Sequence, residues 1–129
     1  MEINDYVQKA AHFRQQGYNC CQAVAAALAD QTELSEEQLC QIAAGFGMGM
    51  GNMASTCGAL VGAGMVAGLR SEGRGTVRMT RAISELFKTK CGAVICRELK
   101  GIGTGKVLCS CEQCVKNAVL AYGEVMGLK

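Results

Sequence analysis

Nine cysteines and a single histidine are distributed over the 129 residues of the chain, and this cysteine usage limits the fold more than any other feature. An odd number of cysteines cannot all pair within one chain, so we do not expect a scaffold that depends on disulfides. A chain of this length can bury enough apolar surface to fold without them. We therefore predict a single domain, residues 1–129, with an ordinary hydrophobic core.

The chain shows no targeting or membrane-spanning segment. Residues 1–17 carry acidic side chains early and lack the apolar stretch of a signal peptide. The longest apolar run, from Cys57 to Leu69, is too short to cross a bilayer. These features predict a soluble, cytoplasmic protein with no membrane association. In a reducing cytoplasm, many cysteines indicate metal or redox chemistry rather than structural disulfides.

The remaining composition excludes several function classes. His12 is the only histidine, so one chain cannot form a multi-histidine zinc or di-iron site, and no G-x-S-x-G elbow supports a serine triad. With no tryptophan and few other aromatic residues, base stacking and hence nucleic-acid binding are not expected.

Two glycine-rich segments, 45–53 and 101–106, lack the spacing of nucleotide-binding loops. We interpret the first as a flexible connection or a close backbone approach, and the second as a loop.

Apolar residues recur at helical spacing along the chain, and no segment alternates as a strand would. The first predicted helix ends at Gly17, and Asn19 caps the second. A capping box that begins at Ser35 starts a third helix, which runs to about Ala44. A later helix ends near Cys91. This spacing predicts an all-α fold.

The segment Met53–Leu69 is predicted to be a glycine-rich helix. Its glycines form two pairs four residues apart, Gly58 with Gly62 and Gly64 with Gly68. Each glycine costs up to about 1 kcal/mol relative to alanine in a helix, and a close approach of neighbouring helices would offset that cost. We expect Cys96–Lys100 to form a short helical turn and the last helix to begin near Cys111. The sequence thus predicts a bundle of five or six helices with the glycine-rich helix at its centre.

Four cysteines fall near predicted helix starts, namely Cys20, Cys57, Cys96 and Cys111. A helix N-terminus carries partial positive charge and free N–H groups, which lower the pKa of a thiol and favour the thiolate. If these four helix starts meet, they form a thiolate-rich site of the kind that binds a soft metal ion or an iron–sulfur cluster. We predict that the four cysteines converge in space.

Two groups of neighbouring cysteines leave the ligand set open. Cys109, Cys111 and Cys114 form a C-x-C-x-x-C, in which all three can share one metal or one can bind while the others fill space. Cys20 and Cys21 are adjacent on one helix and cannot point the same way, so we expect one functional member.

Several segments together resemble the C_GCAxxG_C_C family of redox-active proteins. Cys57–Gly62 matches the central CGAxxG motif, and Gly17–Val24 resembles the first cysteine element of the family. Gly45–Gly51 is similar to the glycine-rich approach to the central motif. Cys96–Gly101 and Cys111–Val115 resemble the third and fourth elements. The resemblance implies a redox or metal-binding role for the four family cysteines, which correspond to Cys20, Cys57, Cys96 and Cys111.

The chain departs from the family pattern at five extra cysteines, Cys21, Cys40, Cys91, Cys109 and Cys114. Cys40 lies among apolar residues on a helix and is predicted to be a core residue. Cys91 lies at a helix end, and its role, core residue or ligand, stays open. Cys109, Cys114 and Cys21 are kept as additional or substitute metal ligands.

These observations favour a redox protein with a four-cysteine site that holds an iron–sulfur cluster or another thiolate-bound metal, Fe or Zn, for electron transfer. The alternatives are a thiol–disulfide or peroxide-handling oxidoreductase, a structural zinc or metal-trafficking protein, and a helical interaction module. A redox partner protein and a homodimer are expected partners. No pattern identifies a substrate or a catalytic residue, so whether the chain is an enzyme stays open.

Overall fold

The computed structural model describes all 129 residues of the chain. It consists of helices joined by loops and short helical turns, which confirms the all-α prediction. The helices are α1 (Ile3–Gln15), α2 (Cys20–Ala27), α3 (Glu36–Ala43), α4 (Gly58–Arg70), α5 (Thr76–Cys91), α6 (Cys96–Lys100) and α7 (Cys111–Met126). There are seven rather than five or six, because the segment predicted to be a helical turn forms the five-residue helix α6.

Side-chain caps fix the helix starts that lie around the candidate site. The Asn19 side chain accepts a hydrogen bond from the Gln22 backbone N–H at 2.9 Å, as predicted for the start of α2. Ser35 accepts from the Gln38 N–H at 3.0 Å and confirms the capping box of α3. Ser110 caps α7 in the same way.

The glycine-rich helix α4 begins at Gly58 and not at Met53, so its predicted start was wrong. Met48, Met50 and Met53 all have positive φ angles, of 53°, 65° and 63°. These left-handed conformations are rare for residues with side chains and cannot continue a regular helix. Residues 49–53 therefore form an irregular turn, and the chain re-enters α-helix only after Cys57, which caps α4.

The centre of the bundle is formed by α2, α4 and α7 together. Seven of the eight residues of α2 are buried, and this helix packs against α1, α3, α4 and α7. The glycine-rich helix α4 packs against α2, α5 and α7. The largest fully buried side chains, Tyr122, Phe87, Leu28, Leu39 and Ile83, fill the space around them. No helix is both long enough and apolar enough to cross a membrane.

Two glycines of α4 allow a close approach to α2, as the sequence predicted. A Cβ atom built on Gly58 would lie 3.2 Å from the backbone nitrogen of Cys21 in α2. A Cβ atom on Gly62 would lie 2.8 Å from the carbonyl oxygen of Cys21. Backbone atoms cannot move away as a flexible side chain can, so any larger residue would push the helices apart. This contact sets the position of Cys57 relative to the start of α2.

We expect Gly62→Ala to lower the free energy of unfolding by about 1–3 kcal/mol, because its new methyl group overpacks the α2–α4 contact. Gly64→Ala is the matched control on the same helix. There the new Cβ would lie at an ordinary 3.6 Å from the Thr80 side chain. We expect that variant to gain up to about 1 kcal/mol from helix propensity. Urea unfolding measures the free energy of unfolding of both variants. Equal shifts of their two unfolding midpoints would contradict the close-approach interpretation.

Candidate functional site

A cavity of about 370 Å³ lies where the N-terminal ends of four helices meet, and Cys20, Cys57, Cys96 and Cys111 all line it. Cys20, Cys96 and Cys111 are the first residues of α2, α6 and α7, and Cys57 is the cap of α4. The structure thus brings together the four cysteines that the helix-start pattern selected. Their role as metal ligands stays a prediction. We call this space the cysteine cavity.

Cys57 and Cys96 are held side by side by a short antiparallel bridge between Thr56 and Ile95. The Cys57 N–H donates to the Val94 carbonyl at 2.8 Å, and the Cys96 N–H donates to the Ser55 carbonyl at 3.0 Å. Each cysteine therefore directly follows a bridge residue and stands at the start of its helix. The bridge is too short to produce an alternating sequence pattern, so it could not be predicted from the sequence.

The glycine-rich loop 45–53 forms one wall of the cysteine cavity through Met48 and Met53. A Cβ atom on Gly49 would lie 2.6 Å from the Cβ of Cys96, and its φ angle is +56°. The segment thus makes a close backbone approach, which is one of the two roles expected of it. Backbone strain at the methionines is concentrated beside the cavity, as is common at functional sites.

Two basic side chains line the cysteine cavity without full hydrogen bonding. The Nζ atom of Lys100 and the Nε atom of Arg14 are buried and have no hydrogen-bond partner. A buried cation without a partner is costly, so such groups are normally paired with an anion. Lys100 follows Cys96 by one helical turn on α6, a spacing that could have indicated its position. Neither residue was predicted from the sequence to lie at the site.

Cys20 and Cys111 both line the cavity, and their thiols interact so that each shifts the pKa of the other. This interaction and the nearby Lys100 ammonium lower the pKa of Cys111 to about 4, although burial opposes the shift. The same interaction, together with burial, raises the pKa of Cys20 well above its usual range. The two shifts are opposite in direction, and the Lys100 ammonium favours the thiolate on Cys111.

Cys57 and Cys96 also differ in charge state. Hydrogen bonding with the Cys114 thiol and with the backbone N–H groups of Ala59 and Leu60 lowers the pKa of Cys57 to about 7. Burial raises the pKa of Cys96. The prediction that all four helix starts favour the thiolate is thus wrong for Cys20 and Cys96, because burial and a neighbouring thiolate outweigh the helix terminus.

Three further cysteines, Cys91, Cys109 and Cys114, form a second group behind the cavity. Their sulfur atoms all lie within 4.8 Å of one another, and all three are buried. Burial raises the pKa of Cys109 to about 11, whereas the Cys114 thiol and the Asn117 amide lower that of Cys91 to about 6. We call these residues the three-cysteine cluster.

The C-x-C-x-x-C motif is divided between the two groups. Cys111 lines the cysteine cavity, whereas Cys109 and Cys114 are not among its lining residues and lie in the three-cysteine cluster. Their role as additional or substitute ligands stays a prediction. The Cys114 thiol also lowers the pKa of Cys57, so the two groups interact with each other. Cys21, the other proposed substitute, is buried away from the cavity with its sulfur 3.7 Å from that of Met65.

Cys91 is the member of the cluster that the sequence left open. It lies one turn after Phe87 and two turns after Ile83, and all three are buried. This i, i+4, i+8 spacing was a usable signal that Cys91 points into the core.

Cys40 shows the opposite error, because it was predicted to be core but is only half-buried on α3 and lies outside both cysteine groups.

An all-helical fold with seven buried or half-buried cysteines around two adjacent sites defines a cysteine-rich protein of redox-active type. The family model described as "Putative redox-active protein (C_GCAxxG_C_C)" matches residues 18–125. The chain belongs to this family, as the resemblance predicted. Comparison with curated proteins and with solved structures gives no match.

Proposed function

We propose that this protein transfers electrons through an iron–sulfur cluster held by Cys20, Cys57, Cys96 and Cys111. The observation that carries the proposal is that four cysteines from four helix starts line one cavity. Four cysteine ligands without histidine are the usual set for [2Fe–2S] and [4Fe–4S] clusters. Family membership supports redox activity but does not identify the centre.

The spacing of the sulfur atoms favours a cluster over a single ion. One zinc or iron ion with metal–sulfur bonds of about 2.3 Å requires sulfur atoms roughly 4 Å apart. Only the three-cysteine cluster has three potential ligand atoms within 4.8 Å of one another, so the cavity cysteines are more widely spaced. A cluster, whose irons are separated by sulfide, spans a wider set of thiolates. This spacing makes a structural zinc site at the cavity the weaker alternative.

The charges around the cavity also fit such a centre. Four thiolates around a core of charge +2 carry two net negative charges. The Arg14 guanidinium and the Lys100 ammonium supply two positive charges and lack other partners at Nε and Nζ. The N–H groups of Ala59 and Leu60 point to the Cys57 sulfur and would raise the reduction potential of a bound cluster.

The rim of the cavity supports an approach by a redox partner protein. Tyr18 and Met48 line the cavity and are also exposed, by 37% and 52% of their surface. Aromatic residues and methionine are enriched at protein interfaces. We therefore propose partner docking at this rim, in a cytoplasmic setting that keeps the thiols reduced. The expected homodimer is part of the same proposal.

A thiol–disulfide oxidoreductase is the second candidate, and the interaction between the Cys20 and Cys111 thiols favours it. The Cys111 thiolate would attack a substrate disulfide and release one thiolate. Cys20, after losing its proton, would then attack the mixed disulfide and release the second thiolate. The protein would be left with a Cys20–Cys111 disulfide, which a dithiol reductant must reopen.

Anaerobic purification followed by an absorption spectrum and by iron, sulfide and zinc analysis tests the proposal. We expect visible charge-transfer bands that bleach on reduction, with iron and acid-labile sulfide in equal amounts. Colourless protein with reducible Cys20–Cys111 disulfide would overturn the cluster and support the oxidoreductase. Stoichiometric zinc without sulfide would overturn both.

A further inference from the structure

We propose that Cys91, Cys109 and Cys114 form a second metal site, distinct from the cysteine cavity, for a single soft ion that prefers sulfur ligands. None of these residues belongs to the four family cysteines. The proposal does not rest on the proposed function, because none of its three ligands lines the cavity.

The geometry suits one ion without rearrangement of the backbone. The three sulfur atoms lie within 4.8 Å of one another, whereas an ion with bonds of about 2.3 Å requires separations of roughly 4 Å. Side-chain shifts of less than about 1 Å are therefore sufficient. Cys91 ends α5 and Cys114 lies in the first turn of α7, so two of the ligands are fixed by packed helices.

Asn117 supports the cluster from the next turn of α7. It is the only polar or charged side chain among the buried residues, at 7% exposure. Its Nδ2 group lies 3.2 Å from the Cys91 sulfur and 3.9 Å from that of Cys109. Its Oδ1 accepts a hydrogen bond from Gln113 at 3.0 Å, which fixes the orientation of the amide. Amide donors to sulfur are the outer partners expected around metal-bound thiolates.

The donor set defines the class of ion. All ligand atoms are sulfur, the site contains no carboxylate or histidine, and burial excludes bulk water. Hard ions such as Mg²⁺ and Ca²⁺ need oxygen ligands, whereas soft ions select thiolates. Binding releases the thiol protons to solvent and transfers no electrons, so the step needs no oxidant. Cys109 follows a run of exposed residues, 102–108.

The test uses the full chain with Cys20→Ser, Cys57→Ser, Cys96→Ser and Cys111→Ser, which removes every cysteine of the cavity and leaves the three cluster cysteines in place. The reduced, metal-free protein is titrated anaerobically with Cd²⁺, and the ultraviolet sulfur-to-cadmium absorption is followed. We expect one tightly bound equivalent. Adding Cys91→Ser or Cys109→Ser should weaken binding at least about 100-fold, while adding Cys40→Ser should leave it unchanged.

A subtler variant keeps the test valid if removal of a buried cysteine disturbs folding. Asn117→Leu retains all three sulfur atoms and a side chain of similar size. We expect Cd²⁺ affinity to fall about 10–100-fold, the usual effect of losing an outer-shell partner. Circular dichroism establishes that each variant is folded. Absence of a tight Cd²⁺ equivalent in the cavity-disabled protein, or equal affinity in the folded Cys91→Ser, Cys109→Ser and Asn117→Leu variants, overturns the second site.

Discussion

Cys57→Ser is expected to abolish retention of the proposed cluster. Cys57 is 1% exposed, caps α4, and is pinned by its backbone bond to Val94. Serine fits the same space, but its hydroxyl is a hard donor and is far less acidic than a thiol, so it cannot replace a thiolate on iron. Iron and sulfide content after anaerobic purification should fall to background, and the visible absorption should disappear.

Cys40→Ser is the matched control for this loss. It removes one of the nine cysteines from a half-buried position on α3, outside both groups. We expect its iron content and redox titration to equal those of the wild type. If Cys57→Ser retained the same metal content and thiol reactivity as the wild type, the cavity would lose its assignment and the helical interaction module would become the better interpretation.

Lys100→Met is expected to change the reactivity of Cys111 in the metal-free protein. The Cys20 thiol and the Lys100 ammonium hold the pKa of Cys111 near 4, so the wild-type thiolate is already formed at pH 5 and its alkylation rate is flat above that pH. Removal of the cation raises the pKa, and each unit above 5 lowers the thiolate fraction at pH 5 about tenfold. Because a thiolate of higher pKa is a better nucleophile, we expect alkylation to slow about three- to fourfold per unit. Mass spectrometry after timed iodoacetamide treatment measures the rate at Cys111.

The control for this variant is Lys88→Met, which removes an equal charge from an exposed position on α5. Its alkylation profile at Cys111 should match that of the wild type. In the metal-loaded protein, the loss of the Lys100 charge should also make the reduction potential more negative, because the reduced cluster carries one more negative charge. Unchanged pH profiles in Lys100→Met would show that the ammonium does not act on the cavity.

The sequence predicted the elements of this fold that depend on local signals. The caps at Asn19 and Ser35 and the four cysteines at helix starts all lie where short-range patterns indicated. The start of α4 was wrong because positive φ angles at the methionines, including Met53, depend on the tertiary contacts of the loop. Local propensity cannot anticipate such conformations in residues other than glycine.

The candidate site was predictable in its sulfur atoms but not in its charges. Lys100 and Arg14 belong to different helices, and their burial depends on how α1 and α6 pack against the cavity. The division of the C-x-C-x-x-C between two groups has the same origin, because the direction of each side chain is set by the packing of α7. Spacing along the chain shows which residues are close in sequence but not which sites they share.

The bridge between Thr56 and Ile95 has a consequence for the order in which the protein matures. It joins segments far apart in the sequence, and the cavity draws its sulfur atoms from residues 20 to 111. Contacts of such long sequence separation form only after the intervening chain has been ordered, at an entropic cost that is met late in folding. A nascent chain that still lacks α7 therefore has its thiols far apart and has not yet formed the cysteine cavity. Insertion of the proposed cluster is therefore expected only after the polypeptide is complete, and retention of the cluster would indicate that the whole chain has reached its native topology.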